Sequence, residues 1–308
     1  MSRSIKFLLL LLVLQAGLVA WVHLEGDAPD PFKADTPLVA VDMDSADTVT
    51  IEQPRERLLR LTRKGEGWVL PDKSDFPVLP AKFEQFTDKL LGAKRSWPVG
   101  RTMVGARQFK VTLDEFERRG RFLKGETVLG DVFLGSSPGF RKVHARLDGD
   151  EHTYAIDFNA FDVPVDPSQW YDTEALRTPV EDIARIDLGV FALKAQDGTF
   201  QVEDLRENEQ TDAEPVQEMV ERVSEVAFTD VLGDDGRARF EAGKPVVRYT
   251  IELKEGTPVE HAVVAEEEKS RYILKSSAQP YYFEVEKDRF DKLRDASRVG
   301  VVKGVAAG

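Results

Sequence analysis

From Val41 onward, short apolar stretches of strand type alternate with apolar stripes at helical spacing, and the succession occurs twice, about 130 residues apart. In the first half, residues 49–51 and 58–61 read as strands, and the turn Lys64-Gly65-Glu66-Gly67 leads into Trp68-Val69-Leu70. In the second half, residues 183–186 and 191–193 read as strands, and Asp197-Gly198 leads into Phe200 and Val202. Trp68 and Phe200 thus hold equivalent places after a hairpin turn. A helix follows in each half, carried by Leu79, Phe83, Phe86 and Leu90, and then by Val216, Met219, Val220 and Val223, with Asp212 and Pro215 marking the start of the second. Strands then return at 128–134, 141–147 and 152–156, and at 261–264, 271–274 and 281–285. Val247, Tyr249, Ile251 and Leu253 alternate with polar residues, which gives that strand one buried and one wet face. The run from Asp157 to Asp162 matches that from Glu286 to Asp291, and Pro167-Ser168-Gln169-Trp170-Tyr171-Asp172, continuing to Leu176, bridges the halves. Beyond Val299 the chain is small and apolar and shows no structural demand.

The leading segment has a different pattern. Residues 7–22 carry no charge, with Arg3 and Lys6 before them and Glu25, Asp27 and Asp30 after. Basic residues on the N-terminal flank keep that side in the cytoplasm and send the remainder across. The expected anchor includes Phe7, Leu8, Leu9, Leu10, Leu11, Leu12, Val13, Leu14 and Val22. Its length falls between a signal-peptide core and the roughly 20 residues that span a hydrocarbon layer. Leu18 and Trp21 interrupt the small-residue cleavage pattern around Ala16, Gly17 and Ala20, which favours an uncleaved anchor with Trp21 and His23 at the outer interface. Pro29, Pro31 and Pro37 among acids make the following stretch a tether. The expected architecture is α+β: an N-terminal transmembrane helix followed by two tandem, duplicated strand-rich units, each with a packed helix. The boundaries are 1–6 for a cytoplasmic N-terminus, 7–24 for the anchor, 25–40 for the tether, 41–178 and 179–295 for the repeats, and 296–308 for a tail. The expected location is the bacterial cytoplasmic membrane, with the bulk of the chain periplasmic or otherwise extracytoplasmic.

Composition narrows the chemistry. The 308 residues, 42% hydrophobic and 31% charged, suffice for two domains. A net charge of -13, with basic residues interleaved among acids as in Glu117-Arg118-Arg119, argues against a nucleic-acid partner. With no cysteine, disulfides, thiolate metal sites, a thiol nucleophile and a lipidated cysteine are excluded. Asp42-Met43-Asp44-Ser45-Ala46-Asp47 alternates carboxylates but lacks the glycine and late glutamate of a calcium loop. Asp148-Gly149-Asp150-Glu151 reads as a hairpin turn. His144 and His152 would face each other on successive strands without a third ligand. Ser136 and Ser137 lack the strand-to-helix elbow of hydrolases, and the acidic stretch 203–214 reads as a hydrated loop. Neither catalytic residue, cofactor nor metal is expected. The aromatics Trp170, Tyr171, Tyr281 and Tyr282 are the candidate interaction surface, because flat amphipathic rings suit glycans and peptides; core packing is the competing reading.

The anchor, Gly67-Trp68 after a hairpin, Trp170-Tyr171-Asp172 with Leu176 between halves, and the repeated strand-rich unit resemble the bacterial domain of unknown function 4340 family (DUF4340) over about 41–293. The resemblance implies a non-catalytic, extracytoplasmic accessory protein of a gliding-motility-type ABC transporter, with permease and ATPase subunits as partners. A periplasmic glycan- or peptide-binding module and an envelope hydrolase are the alternatives.

Overall fold

The alternating stretches of the first half form a single antiparallel sheet. The computed structural model describes residues 5, 7, 10–17, 36–54, 57–266 and 270–304. The strands of the first sheet are β1 (Thr48–Gln53), β2 (Arg57–Lys64), β3 (Gly67–Leu70), β4 (Phe76–Pro77), β5 (Pro98–Gly100), β6 (Arg118–Lys124), β7 (Thr127–Leu134), β8 (Lys142–Leu147) and β9 (Thr153–Asp157). Their spatial order is β4-β3-β2-β1-β6-β7-β8-β9-β5. Helix α1 (Pro80–Gly92) lies between β4 and β5 in the chain, and the short α2 (Met103–Gln108) between β5 and β6.

The second half repeats this succession with β10 (Ile183–Asp187), β11 (Ala192–Gln196), β12 (Thr199–Val202), α3 (Ala213–Ser224), β14 (Asp230–Leu232), α4 (Asp234–Ala242), β15 (Pro245–Leu253), β16 (Val259–Glu266), β17 (Arg271–Ser276) and β18 (Tyr282–Glu286), while β13 (Glu209–Thr211) stands outside this sheet. The order is β12-β11-β10-β15-β16-β17-β18-β14. A meander of four strands in the first sheet (β1 to β4) and of three in the second (β10 to β12) lies beside a four-strand meander in each. The short strand between the two helices, β5 or β14, pairs with the last strand of the second meander. All ladders among the described residues are antiparallel, so the fold is mixed α and β with antiparallel sheets.

Local chemistry sets the details. Gln196 pairs with Thr199 across Asp197 (φ 49) and Gly198 (φ 79), a two-residue turn whose positive φ angles suit the strand twist. Trp68 stacks on Phe83 of α1 with centroids 4.4 Å apart, and Phe83, Phe86 and Leu90 turn the buried stripe of that helix to the sheet. Helix α3 buries Val216, Val220 and Val223 in the same way. Asp212 is its N-cap residue but makes no side-chain cap bond. One hydrophobic core runs through both halves.

Three features depart from the sequence pattern. Helix α4 has no apolar stripe and buries only Gly236, so periodicity gives no sign of it. The region beyond Val299 has a structural place: Val301 is buried, and β19 (Val302–Gly304) pairs with β13. The acidic stretch is therefore not wholly loop, and Arg298 ties the strap down through Glu209 (2.6 Å) and the Asp204 carbonyl (2.7 Å). The 3-10 turn after β9 (Ala160–Asp162) corresponds to a full helix, α5 (Lys287–Arg294), after β18. Residues 25–35 of the expected tether, 305–308 of the tail, and Leu8, Leu9, Trp21, Val22 and His23 at the expected anchor lie outside the described residues. Among the described residues, no helix is long and apolar enough to cross a membrane.

The loop after β7 contains two glycines with opposite surroundings. A Cβ on Gly135 would lie 2.1 Å from the Phe109 carbonyl oxygen and 2.4 Å from that of Lys110, whereas one on Gly139 meets nothing within 4 Å. Gly135→Ala is expected to destabilise the protein by about 1–3 kcal/mol or more, because backbone must move. Gly139→Ala should stay within about 0.5 kcal/mol. Urea denaturation of the two variants measures the contrast, and equal midpoints would contradict it.

Candidate functional site

The expected aromatic surface is divided between a buried seam and an outer face. Trp170 is 1% exposed: its indole N–H donates to the Pro164 carbonyl (3.2 Å), and its ring meets Phe86 edge-on at 5.5 Å. Tyr171 is buried too, and its hydroxyl donates to Asp230 at 2.7 Å. Burial, followed by the bond to Asp230, pushes the Tyr171 phenol well above its usual range. Tyr281 is half-buried, donates to the Asp75 carbonyl (3.3 Å) and packs edge-on against Phe76. Tyr282 points to the other side of the sheet, where its ring lies 5.3 Å from Phe240 of α4. Trp170 and Tyr171 are thus core residues, not a ligand-binding surface, because the bridge between the halves runs through the interior.

Around Phe76, in β4, gather Tyr171, Phe228, Tyr281 and Phe283, with ring centroids 4.8–6.1 Å away. Beside them Asp230 receives Lys73 from the first half at 2.7 Å and its neighbour's amide, Val231, at 2.8 Å. These contacts join the β4 edge of one sheet to the β14 edge of the other. The Asp230 carboxylate thus has three donors, from Lys73, Tyr171 and Val231, as a partly dry carboxylate requires.

The other candidate side chains have local partners. Asp42 accepts from the Asp44 amide and the Ser45 hydroxyl, and Asp47 from the Gly125 amide. Gly149 (φ 79) turns between β8 and β9, while Asp150 gathers the His152 amide, the His152 ring and the Tyr154 hydroxyl. His144 and His152 do not face each other. The ladder sets His144 opposite Ala155, and its ring stacks on Phe109 at 4.2 Å. Burial lowers the His144 pKa. Ser136 lies 3.0 Å from His144 Nδ1 and 3.2 Å from the Phe109 carbonyl, which competes for its single proton. Among the described residues, no group of three or more His, Asp or Glu side chains is arranged to hold a metal ion.

A cavity of about 440 Å³ lies where the segment after Tyr171 crosses the core face of the second sheet. Leu176, Leu253 and Val259 supply apolar wall, while Arg177, Asp182 and Lys254 also line it. His261 and Ser276 line it from β16 and β17. His261 is 3% exposed, yet neither ring nitrogen has a hydrogen-bond partner. Burial pushes its pKa down to about 4, so at neutral pH the imidazole offers one donor and one acceptor. Its ring stacks on Tyr249 at 4.7 Å, and the Tyr249 hydroxyl is also without a partner. An unmatched buried imidazole lining a partly apolar cavity is suited to hold a small neutral polar group. The sequence signal was present: His261 occupies a core-face position in an alternating strand, beside Val263.

One family, described as a domain of unknown function (DUF4340), matches residues 68–243, which cover most of the first sheet and the start of the second half. No curated protein and no solved structure matches the chain.

The His261 environment has a pH consequence. Its folded pKa lies below the ordinary 6.5, so the unfolded chain binds the extra proton between pH 6.5 and about 4. The neutral ring's contribution is whole above pH 6.5 and is lost as pH falls through that window, on the order of 3 kcal/mol. Urea midpoints of wild type and His261→Leu at pH 7 and pH 4 are expected to diverge, the variant losing less. Parallel losses would contradict this.

Proposed function

Because the chain belongs to the DUF4340 family, we propose that it is a membrane-anchored, extracytoplasmic accessory component of an envelope ABC transport system, acting by protein–protein contact rather than catalysis. The bacterial cytoplasmic membrane holds it through residues 7–24, and its partners are the permease and ATPase subunits. The observation that carries the anchoring is at the N-terminus: residues 10–17 are helical, and Leu10, Leu11, Leu12, Val13 and Leu14 are 48–67% exposed, with no packing against the fold to account for their apolarity. A lipid environment removes that cost, at roughly 25 cal/mol per Å² of apolar surface. The transporter association rests on the family resemblance.

The cavity beneath the bridge favours a second reading, a module binding a small glycan or peptide fragment, because His261 has both ring nitrogens unmatched there.

Freedom from cysteine makes topology directly testable. In intact spheroplasts, Glu207→Cys should react with a membrane-impermeant maleimide, and Ser4→Cys should react only after permeabilisation. The reverse pattern would sink the orientation. Affinity capture of the whole chain from gently solubilised native membranes should bring down an ABC permease and its ATPase. Recovery of the protein alone, with glycan or peptide retained, would instead favour the binding module.

A further inference from the structure

The segment 94–110 differs in charge from the rest of this acidic chain. It contains Lys94, Arg95, Arg101, Arg107 and Lys110 and no acidic residue, within a protein of net charge -13. Arg95 is directed toward Asp150 (3.9 Å) and Lys110 toward Glu117 (3.4 Å). Lys94, Arg101 and Arg107 are exposed and have no ion pair among the described residues.

Exposed apolar side chains share the same surface. Strand β5 forms the outer edge of the first sheet. Trp97, Val99 and Arg101 alternate to one side there, while Gly100 turns its Cα toward the Phe109 ring. Trp97 is 68% exposed. In α2, Met103 and Val104 lie one turn from Arg107 and are open to solvent, with Val104 79% exposed, while Ala106 is buried on the opposite side. The platform beneath is fixed. The Phe109 carbonyl receives the Ser136 amide at 2.9 Å, and that of Val111 receives Arg146 Nε at 2.7 Å.

The chain leading from the N-terminal segment joins the fold beside this surface. The Leu38 amide donates to the Ala93 carbonyl (2.7 Å), and the Arg95 amide to that of Thr36 (2.8 Å). Between position 24, the end of the expected anchor, and Thr36 lie few enough residues to reach about 40 Å at full extension, and nearer 20 Å as a flexible coil. Such a tether keeps the surface at high effective concentration over the bilayer.

We infer that Trp97, Val99, Met103 and Val104, framed by Lys94, Arg101 and Arg107, form a membrane-docking face that lies on the anionic phospholipid surface from which the chain is tethered. Its apolar side chains enter the interfacial region, and its cations meet lipid phosphates. The indole of Trp97 suits that depth, having an apolar ring and one donor. This inference rests on the anchored reading, and its test separates the two.

The whole chain is reconstituted in nanodiscs of phosphatidylcholine and phosphatidylglycerol, with and without bromine on the acyl chains. Trp68 and Trp170 are buried, so Trp21→Phe leaves Trp97 as the reporter, and Trp97→Phe leaves Trp21. Docking predicts that brominated lipid quenches the Trp21→Phe protein and that Arg101→Glu with Arg107→Glu restores its emission. Quenching of the Trp97→Phe protein alone overturns the docking face and retains the anchor. Quenching of neither overturns both. Blue-shifted Trp97 emission untouched by bromine would place protein, such as a second copy, over the face and overturn the proposal.

Discussion

The Asp230 carboxylate is the constraint on which the arrangement of the halves depends. It gathers Lys73 from the first half, the Tyr171 hydroxyl from the bridge and the Val231 amide from its own strand. A carboxylate in a seam is stabilised only when its donors arrive together, so three chain segments must meet at one geometry. Phe76 supplies the apolar counterpart, its ring enclosed by residues of the bridge and the second half. A polar joint fixes direction, and the aromatic cluster beside it adds the apolar burial.

That joint also fixes which edge of the first sheet faces the second half. It lies at the β4 edge of the first sheet, whereas β5 lies at the opposite edge. Eight inter-strand steps at about 4.8 Å separate these edges by roughly 40 Å, less the shortening due to twist. Under the proposed docking, the first sheet becomes a spacer: its β5 edge rests on lipid and its β4 edge carries the second half. The second half would then stand away from the bilayer.

Much of the fold was legible because its signals are local. Leu79, Phe83, Phe86 and Leu90 mark α1, the Asp197-Gly198 pair marks a tight hairpin, and the offset between Trp68 and Phe200 points to the shared strand order. Helix α4 was not legible, since its residues Asp234 to Ala242 carry polar side chains around most of its circumference. The β13–β19 pairing was hidden because it joins chain segments far apart, each only three residues long. Which of the aromatic candidates belong to the core was hidden for a related reason. Trp170 and Tyr171 satisfy their polar atoms through Pro164 and Asp230, contacts that composition and spacing do not encode.

Comparison of the two sheets separates what the fold needs from what one half adds. Leu61 and Leu193 each precede their hairpin turn by the same interval, and their partners are Val49 and Ile186. Those residues pair onward with Phe122 and Ile251, which places Gly120 in correspondence with Tyr249. Following the ladders one strand further aligns Val132 with His261, and then Leu147 with Ser276. The first sheet therefore fills this core row with Gly120, Val132 and Leu147, leaving no buried side-chain polar atom to satisfy. The second sheet has a tyrosine, a histidine and a serine in the corresponding row, at the cost of an unmatched imidazole and phenol. Since the same topology closes without that polarity, the row is not a requirement of the fold. Two of its members, His261 and Ser276, line the cavity under the bridge, where the unmatched imidazole is available to a small polar group.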